Sequence, residues 1–375
     1  MSKALEIMAD TVRNGPAVLA EIKARTSKKI IGYFFPVVPE ELIYAAGLHP
    51  VQIYPLFQEM ITEADAHLQS FLCSYVRADW DQVVKGKASY LDGIIIPRSC
   101  EAVTFLYQTW KRNNPLPFTD YLNVPWKKSE NTILFFTKEL ERVKHNLEAF
   151  TGKEISHDSL NKAIALYNRH RSLMRKAYDL QKSESPPFSG LEILQMVMSG
   201  FILDKKDHSQ LLEQLFAELP ERPAPSQTDV RLLLSGGCVI DARIWEMIES
   251  CGASIVADDV TNGARAFSHT VDEEDDPLAS LARAYATVPC GFNTSIADRF
   301  AFVSEWIKSH RIDGVIFAIN RNCEPEKFDY PELTIKIKEA FGIPTFLVET
   351  DYMSNMEPLR TRIEAFIEIL QDEGE

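Results

Sequence analysis

The sequence predicts an α/β protein made of two similar halves, each built around a parallel β-sheet. Short, continuous apolar segments alternate with amphipathic segments between residues 28 and 54, and again between residues 230 and 257. Strands of a parallel sheet are buried on both faces and connected through helices, so they are apolar throughout. A long interval without such segments separates the two regions. These three observations predict two sheet domains joined by a helical connector.

The elements follow the same order in both halves. In each, an apolar strand is followed by a helix, a glycine and a second apolar strand, which is the pattern of a βαβ unit. These segments are residues 29–34, residues 39–46, Gly47 and a strand ending near Tyr54 in the first half, and residues 230–234, residues 244–250, Gly252 and residues 253–257 in the second.

The repeat extends to a strand that ends in a cysteine. In both halves an Asp-Gly pair opens a strongly apolar strand, and a short loop then carries Cys-Glu. The residues are Asp92, Gly93, Cys100 and Glu101 in the first half, and Asp313, Gly314, Cys323 and Glu324 in the second. The two glutamates fit the first turn of a helix as well as they fit catalysis, since negative side chains are favoured there.

A second cysteine lies upstream in each half, ahead of a helix near residues 79–85 or 298–309. These cysteines are Cys73 and Cys290, so each half has the order cysteine, helix, strand, cysteine. In open α/β sheets, ligands bind outside the carboxyl ends of the strands, where Cys100 and Cys323 are expected. We therefore predict two Rossmann-like or flavodoxin-like domains whose cysteines meet in the cleft between them.

The interval between the halves has helical periodicity from about residue 134 to residue 219. A proline-rich stretch at residues 220–225 is typical of a linker. The predicted domains are residues 1–133, a helical connector at residues 134–225, and residues 226–375. A strand at residues 344–349 and a helix at residues 359–370 complete the second half.

Composition narrows the classes of function. The chain has 375 residues and a formal net charge of −14, which disfavours nucleic acid and anionic membranes as partners. No apolar run approaches the roughly 20 residues of a transmembrane helix, and the N-terminus lacks the pattern of a signal peptide. We therefore expect a cytoplasmic protein without nucleic-acid or membrane partners.

Six cysteines in such a chain have two interpretations. A buried cysteine usually serves as a small apolar residue, and the tight C-x2-C runs of ferredoxins are absent. The repeat instead brings Cys73, Cys100, Cys323 and Cys290 to equivalent positions around one cleft. Cys238 follows Gly236-Gly237 after a strand, so it either approaches a ligand or belongs to a tight turn. Cys251, beside Gly252, is predicted to be a packing residue.

The sequence motifs of other common cofactor-binding and catalytic sites are absent. The sequence has no G-x-G-x-x-G, P-loop, H-E-x-x-H or G-x-S-x-G motif, which disfavours nicotinamide, ATPase, zinc-protease and α/β-hydrolase chemistry. The acidic run at residues 272–276 is predicted to be a solvated loop.

Nearly the whole chain resembles the iron-sulfur subunits of 2-hydroxyacyl-CoA dehydratases, which are similar to subunits of ATP-dependent benzoyl-CoA reductase. The likeness is closest to the shorter, β-type subunit of the 2-hydroxyglutaryl-CoA dehydratase D-component. The matching segments are residues 39–47, the Cys73 segment, residues 91–97 with Cys100, residues 257–259, residues 322–331 and residues 360–366.

This resemblance implies that Cys73, Cys100 and Cys323 hold one oxygen-sensitive [4Fe-4S] cluster, with no conventional protein ligand on its fourth iron. Cys290 and Cys238 exceed that pattern and are additional candidates for cofactor binding. The resemblance further implies that the partners are a larger homologous subunit and a separate ATP-hydrolysing activator protein that carries an iron-sulfur cluster. It implies an acyl-CoA or aryl-CoA thioester as substrate.

The reaction implied is that of a lyase. One electron adds to the thioester carbonyl, the ketyl radical expels the hydroxyl group, and the electron is recovered once the enoyl-CoA has formed. Two alternatives remain: an oxidoreductase of the benzoyl-CoA reductase type, which consumes two electrons, and an electron-relay subunit that makes no contact with substrate.

Overall fold

The computed structural model describes residues 2–56, 60–126, 128–222, 225, 228–292, 294–353 and 355–372. These residues form eight strands and fourteen α-helices. The strands are β1 (Ile30–Tyr33), β2 (His49–Gln52), β3 (Gly93–Pro97), β4 (Phe118–Leu122), β5 (Val230–Gly236), β6 (Ala253–Val260), β7 (Gly314–Asn320) and β8 (Thr345–Thr350). The helices are α1 (Lys3–Arg13), α2 (Gly15–Thr26), α3 (Glu40–Ala45), α4 (Ser74–Val84), α5 (Glu101–Asn113), α6 (Glu130–Thr151), α7 (His157–Leu180), α8 (Gly190–Gly200), α9 (Lys205–Glu218), α10 (Ala242–Ser250), α11 (Pro277–Tyr285), α12 (Ile296–His310), α13 (Glu324–Phe341) and α14 (Glu357–Asp372). No helix in the described part of the chain is long and apolar enough to span a membrane.

Two four-stranded sheets have the same topology. Their strand orders are β2-β1-β3-β4 and β6-β5-β7-β8, and every pairing is parallel. The prediction of two similar parallel-sheet halves is confirmed. In the first sheet, β2 lies on one side of β1, and β3 and β4 lie on the other side. In the second sheet, β6 and β7 flank β5 in the same way, so the strand order changes direction between β1 and β3 and between β5 and β7. This is the topological switch point at which such sheets bind ligands.

Both sheets are buried on both faces, as their apolar strands predicted. Ile94 and Ile96 of β3 pack into one cluster of buried side chains and Ile95 into another. In β7, Val315 and Ile316 likewise enter different clusters. Strand β4 was not among the predicted strands, because its burial alternates and it lies at the sheet edge.

The repeated Asp-Gly pair has a structural explanation. Asp92 accepts a hydrogen bond from the backbone N–H of Ile30 at 2.9 Å, and Asp313 accepts one from the N–H of Arg231 at 2.7 Å. The backbone N–H of each aspartate returns a bond to the carbonyl of the same partner at 2.9 Å. The glycine that follows each aspartate packs so closely against its neighbours that a Cβ would lie 2.7 Å from another side chain. The motif therefore sets the register of β3 against β1 and of β7 against β5.

Four helices, α6 to α9, occupy the predicted connector, and α7 contacts both halves. Arg171 on α7 pairs with the buried Glu41 of α3 and lies 2.9 Å from the Tyr285 hydroxyl of α11. Tyr285 also donates to Glu41 at 2.7 Å. From the N-terminus, Leu5 of α1 joins the core formed by the connector and the second sheet. The boundaries of the three predicted domains stay predictions, and the proposed linker at residues 220–225 lies partly outside the described residues.

We predict that Asp92→Ala and Asp313→Ala each lower the free energy of unfolding by about 1–2 kcal/mol, because each leaves a strand-initiating N–H without its acceptor. Urea denaturation measures the effect. Lys162→Ala, which removes an exposed ion pair with Asp158, should cost about 0.5 kcal/mol or less. Equal losses in all three variants would contradict a special role for the repeated aspartates.

Candidate metal centre

The carboxyl ends of both sheets line one cleft that is partly open to solvent. Five of the six cysteines line it: Cys73, Cys100, Cys238, Cys290 and Cys323. The structure thus brings together every cysteine that the sequence put forward as a ligand. The sixth, Cys251, caps the C-terminus of α10 and packs against the core, as predicted.

The three principal cysteines share one structural position. Cys73 is the N-cap of α4, Cys100 of α5 and Cys323 of α13. A helix N-terminus carries partial positive charge and N–H groups that lack partners within the helix. Glu101 and Glu324 follow directly in the first turns, which agrees with their structural interpretation. Three helix N-termini therefore direct positive potential to the part of the cleft where these thiols lie.

The thiols also influence one another. Burial, and next to it the proximity of Cys100, raise the pKa of Cys73 to about 12, although the N–H groups of Val76 and Tyr75 act in the opposite direction. Burial and then Cys73 raise the pKa of Cys323 well above its ordinary value. Such thiols ionise only if a cation joins them, because the helix ends alone do not outweigh desolvation. Bound iron would supply that charge.

The donors of the cleft are thiols, the ligand type that iron-sulfur clusters use. In the described part of the chain, no three Cys, His, Asp or Glu side chains are grouped to hold one metal ion. Cys73, Cys100 and Cys323 lie at separate helix ends around the cleft.

Asn320 is a contact residue that the sequence did not predict. Its side-chain oxygen lies 3.5 Å from Cys73 Sγ, and its amide donates to Ser74 Oγ at 2.9 Å. Asn320 ends β7, which has seven residues where the equivalent β3 has five. The longer spacing between Asp313 and Cys323 was the available signal. The two additional residues of β7 place Asn320, in the second half, next to Cys73, in the first half.

A buried network of charges lies behind Cys323. Arg265 bonds Asp259 at 2.7 Å and Glu326 at 2.9 Å, and Arg299 bonds the same two carboxylates at 3.1 and 3.0 Å. Arg299 also reaches Asp329 at 2.7 Å. These contacts join β6, α12 and the first turns of α13. They fix the helix end that presents Cys323.

Burial would raise the pKa values of Asp259 and Glu326, but the adjacent guanidinium groups of Arg265 and Arg299 hold both below their ordinary range. Both carboxylates are therefore ionised in the folded protein at neutral pH. Removing either arginine would leave buried negative charge without compensation.

Cys290 is less equivalent to Cys73 than the repeat suggested. It precedes α12, but the N-cap of that helix is Ser295, five residues later. Its thiol lies 3.6 Å from Thr261 Oγ1. Burial raises the pKa of this thiol, and among the charged groups Arg265 and Glu326 affect that pKa most. Cys290 thus faces the charge network as well as the cleft.

The remaining wall of the cleft is largely apolar and contains one carboxyl group that the sequence did not single out. Phe34, Phe35 and Phe292 are among its lining residues. Phe35 has a positive φ of 58°, a conformation that is uncommon for a bulky residue, and its ring packs 5.9 Å from that of Phe292. Asp79 also lines the cleft, and burial raises the pKa of its carboxyl well above the ordinary value.

Residues 36–370 match the family described as 2-hydroxyglutaryl-CoA dehydratase, D-component. The chain belongs to this family. It is 28% identical over 369 residues to the beta subunit of (R)-phenyllactyl-CoA dehydratase from Clostridium sporogenes, covering 96% of this chain and 97% of that subunit. It is 25% identical to one of the subunits of benzoyl-CoA reductase from Thauera aromatica, covering 93% and 92% of the two chains.

Both subunits of one dehydratase are similar to this chain. The beta subunit of (R)-2-hydroxyglutaryl-CoA dehydratase from Acidaminococcus fermentans is 27% identical, covering 94% of this chain and 95% of that subunit. The alpha subunit of the same enzyme is 20% identical, covering 74% of this chain and 59% of that subunit. Relatives of this protein are thus subunits of heteromeric dehydratases, and the extent of the match is greater with the beta subunits.

We predict that Arg265→Met lowers the free energy of unfolding by about 3–5 kcal/mol, because Arg299 alone cannot balance the two buried carboxylates and one negative charge is left without compensation. Arg283→Met, which breaks an exposed pair with Asp275 and a hydrogen bond to Ser280 Oγ, should cost about 1 kcal/mol or less. Urea denaturation at pH 7.5 compares the two. The milder Glu326→Gln should lie between them, and a result for Arg265→Met equal to that for Arg283→Met would contradict the role of the network.

Proposed function

We propose that this chain is the cluster-carrying, β-type subunit of an ATP-activator-dependent (R)-2-hydroxyacyl-CoA dehydratase. The observation that carries this proposal is the convergence of Cys73, Cys100 and Cys323, each at a helix N-terminus, on one cleft between the two sheets. Family membership supports it independently. These three thiolates would hold a [4Fe-4S] cluster in the cleft.

When bound, the cluster supplies single electrons at low potential and an iron that can act as a Lewis acid. The chain's own residues then have distinct tasks. The N-termini of α4, α5 and α13 stabilise negative charge on the thiolates. The phenylalanine side chains exclude water and dioxygen from the thiols.

The substrate class follows from the relatives. We infer an acyl-CoA thioester with a hydroxyl group at carbon 2, which one electron converts to a ketyl. The hydroxyl group leaves with a proton as water, carbon 3 loses a proton, and the electron is returned as the enoyl-CoA forms. Asp79 is suited to donate the proton to the leaving hydroxyl, since its carboxyl lines the cleft and burial raises its pKa.

We further infer two protein partners: a larger homologous subunit and an ATP-hydrolysing activator with its own iron-sulfur cluster. The similarity to both subunits of the Acidaminococcus fermentans dehydratase supports a heterodimer of related chains.

A reductase of the benzoyl-CoA type is the second candidate, favoured by the 25% identity to the benzoyl-CoA reductase chain of Thauera aromatica. An electron-relay subunit without substrate contacts is the third. Locating CoA in the complex with the larger homologous partner tests the third candidate, because a relay requires every substrate contact to come from that partner.

We predict about four irons per chain in anaerobically isolated protein. Replacing Cys73, Cys100 or Cys323 by Ser should remove iron and sulfide or make the cluster labile, because each variant loses one thiolate. Iron and sulfide analysis with an anaerobic spectrum measures this. Cys251→Ser is the matched control outside the cleft. Unchanged iron and sulfide in all three cleft variants would refute the assignment.

We predict that turnover with the larger homologous partner, the activator and ATP requires electrons only in catalytic amounts. The dehydratase reaction returns its electron, whereas a reductase consumes two for each product. The measurement titrates a reduced electron donor against enoyl-CoA formed under anaerobic conditions. Consumption of two electrons per product would replace the dehydratase assignment by the reductase one.

A further inference from the structure

The loop after β5 brings Cys238 close to the strand end that leads to Cys323. Gly236 has φ of +154°, and a Cβ there would lie 2.1 Å from the carbonyl oxygen of Ala318 on the neighbouring β7. Only glycine permits so close an approach. Gly236 is therefore required for the position of this loop at the switch point of the second sheet.

The next residue lies against the cysteine itself. A Cβ on Gly237 would be 3.5 Å from Cys323 Sγ and 3.2 Å from Glu326 Cγ. The carbonyl of Gly237 accepts a hydrogen bond from the N–H of Thr261 at 2.9 Å, which fixes the loop. Cys238 follows directly and lines the cleft together with Cys323.

The surroundings of Cys238 distinguish it from the other extra cysteine. Burial is the main cause that raises the pKa of Cys238, and the thiols of Cys73, Cys323 and Cys290 are the next causes. Cysteines from both halves therefore lie near it. Cys290 instead has Thr261 as a neighbour and the charge network beside it. Among the described residues, no hydrogen bond engages the thiol of Cys238, which lies at the wall of the cleft.

We propose that Cys238 is a fourth protein ligand of the cluster, bound to the iron that Cys73, Cys100 and Cys323 leave open when no substrate is present. The proposal rests on the proposed function, since it requires the cluster. It gives the substrate-free protein four thiolates from four different loops. The cluster iron is thereby held on the side of the second sheet.

Controlled oxidation of the anaerobically isolated chain tests this ligand. A cluster held by three thiolates readily loses its fourth iron to an oxidant such as ferricyanide, giving a [3Fe-4S] product that electron paramagnetic resonance detects. We expect Cys238→Ala and Cys238→Ser to accelerate this loss by about tenfold or more, since even an outer-shell contact to a metal ligand is worth that factor in affinity. Cys290→Ser is the matched control in the same cleft and should lose iron at the wild-type rate.

The outcomes separate this proposal from the function on which it rests. If the wild-type protein holds a cluster but loses iron as fast as the Cys238 variants do, the assignment of Cys238 as fourth ligand is wrong and the proposed function stands. Acceleration by Cys290→Ser instead of the Cys238 variants also overturns it. Wild-type protein that binds no iron overturns both proposals. Urea denaturation of the iron-free proteins checks that the Cys238 variants fold, and Mössbauer spectra should show one altered iron in the variants that retain four.

Discussion

The electrostatics of three converging helix ends is the constraint on which the site depends. The N-termini of α4, α5 and α13 meet at one cleft, each capped by a cysteine. Partial positive charges brought together in this way repel one another unless an anion lies between them. Glu101 and Glu324 provide part of it in the first turns of α5 and α13, whereas neutral thiols provide none, because burial raises their pKa values. Thiolates bound to iron, as in the proposed cluster, would add negative charge among the three helix ends.

Two arrangements keep those helix ends in place. Within the second half, Arg265 and Arg299 bind Asp259 and Glu326 in a buried network that fixes the start of α13. Between the halves, Arg171 of the connector joins Glu41 to Tyr285. Such buried charges contribute little net stability compared with apolar packing, but they penalise any shift that separates them. They therefore favour one geometry of the cleft, which a ligand set drawn from distant parts of the chain requires.

The sequence predicted the parts of this structure that follow from local patterns. Continuous apolar strands indicated parallel sheets, and the repeated Asp-Gly and cysteine positions located the carboxyl ends at which Cys100 and Cys323 lie. Contacts between distant segments left no such pattern. Asn320 approaches Cys73 only because β7 is two residues longer than β3, and Asp79 acquires its raised pKa only through burial. Arg265 and Arg299 give no signal as isolated residues, since their partners come from β6 and α13.

The differences between the halves matter to the site as much as the repeat does. By strand register, Phe35, which follows β1, is the counterpart of Gly236, the last residue of β5. This position carries an aromatic ring in one half and begins a Gly-Gly-Cys sequence in the other. Phe35 packs against Phe292 and makes its side of the cleft apolar, whereas Gly236 and Gly237 let the opposite loop approach Cys323. A symmetric pair of sheets thereby yields a cleft with unlike edges, because the strand end of the first half carries an aromatic ring where that of the second half carries glycines. The repeat therefore sets where the cleft lies, and the differences between the halves set which groups line it.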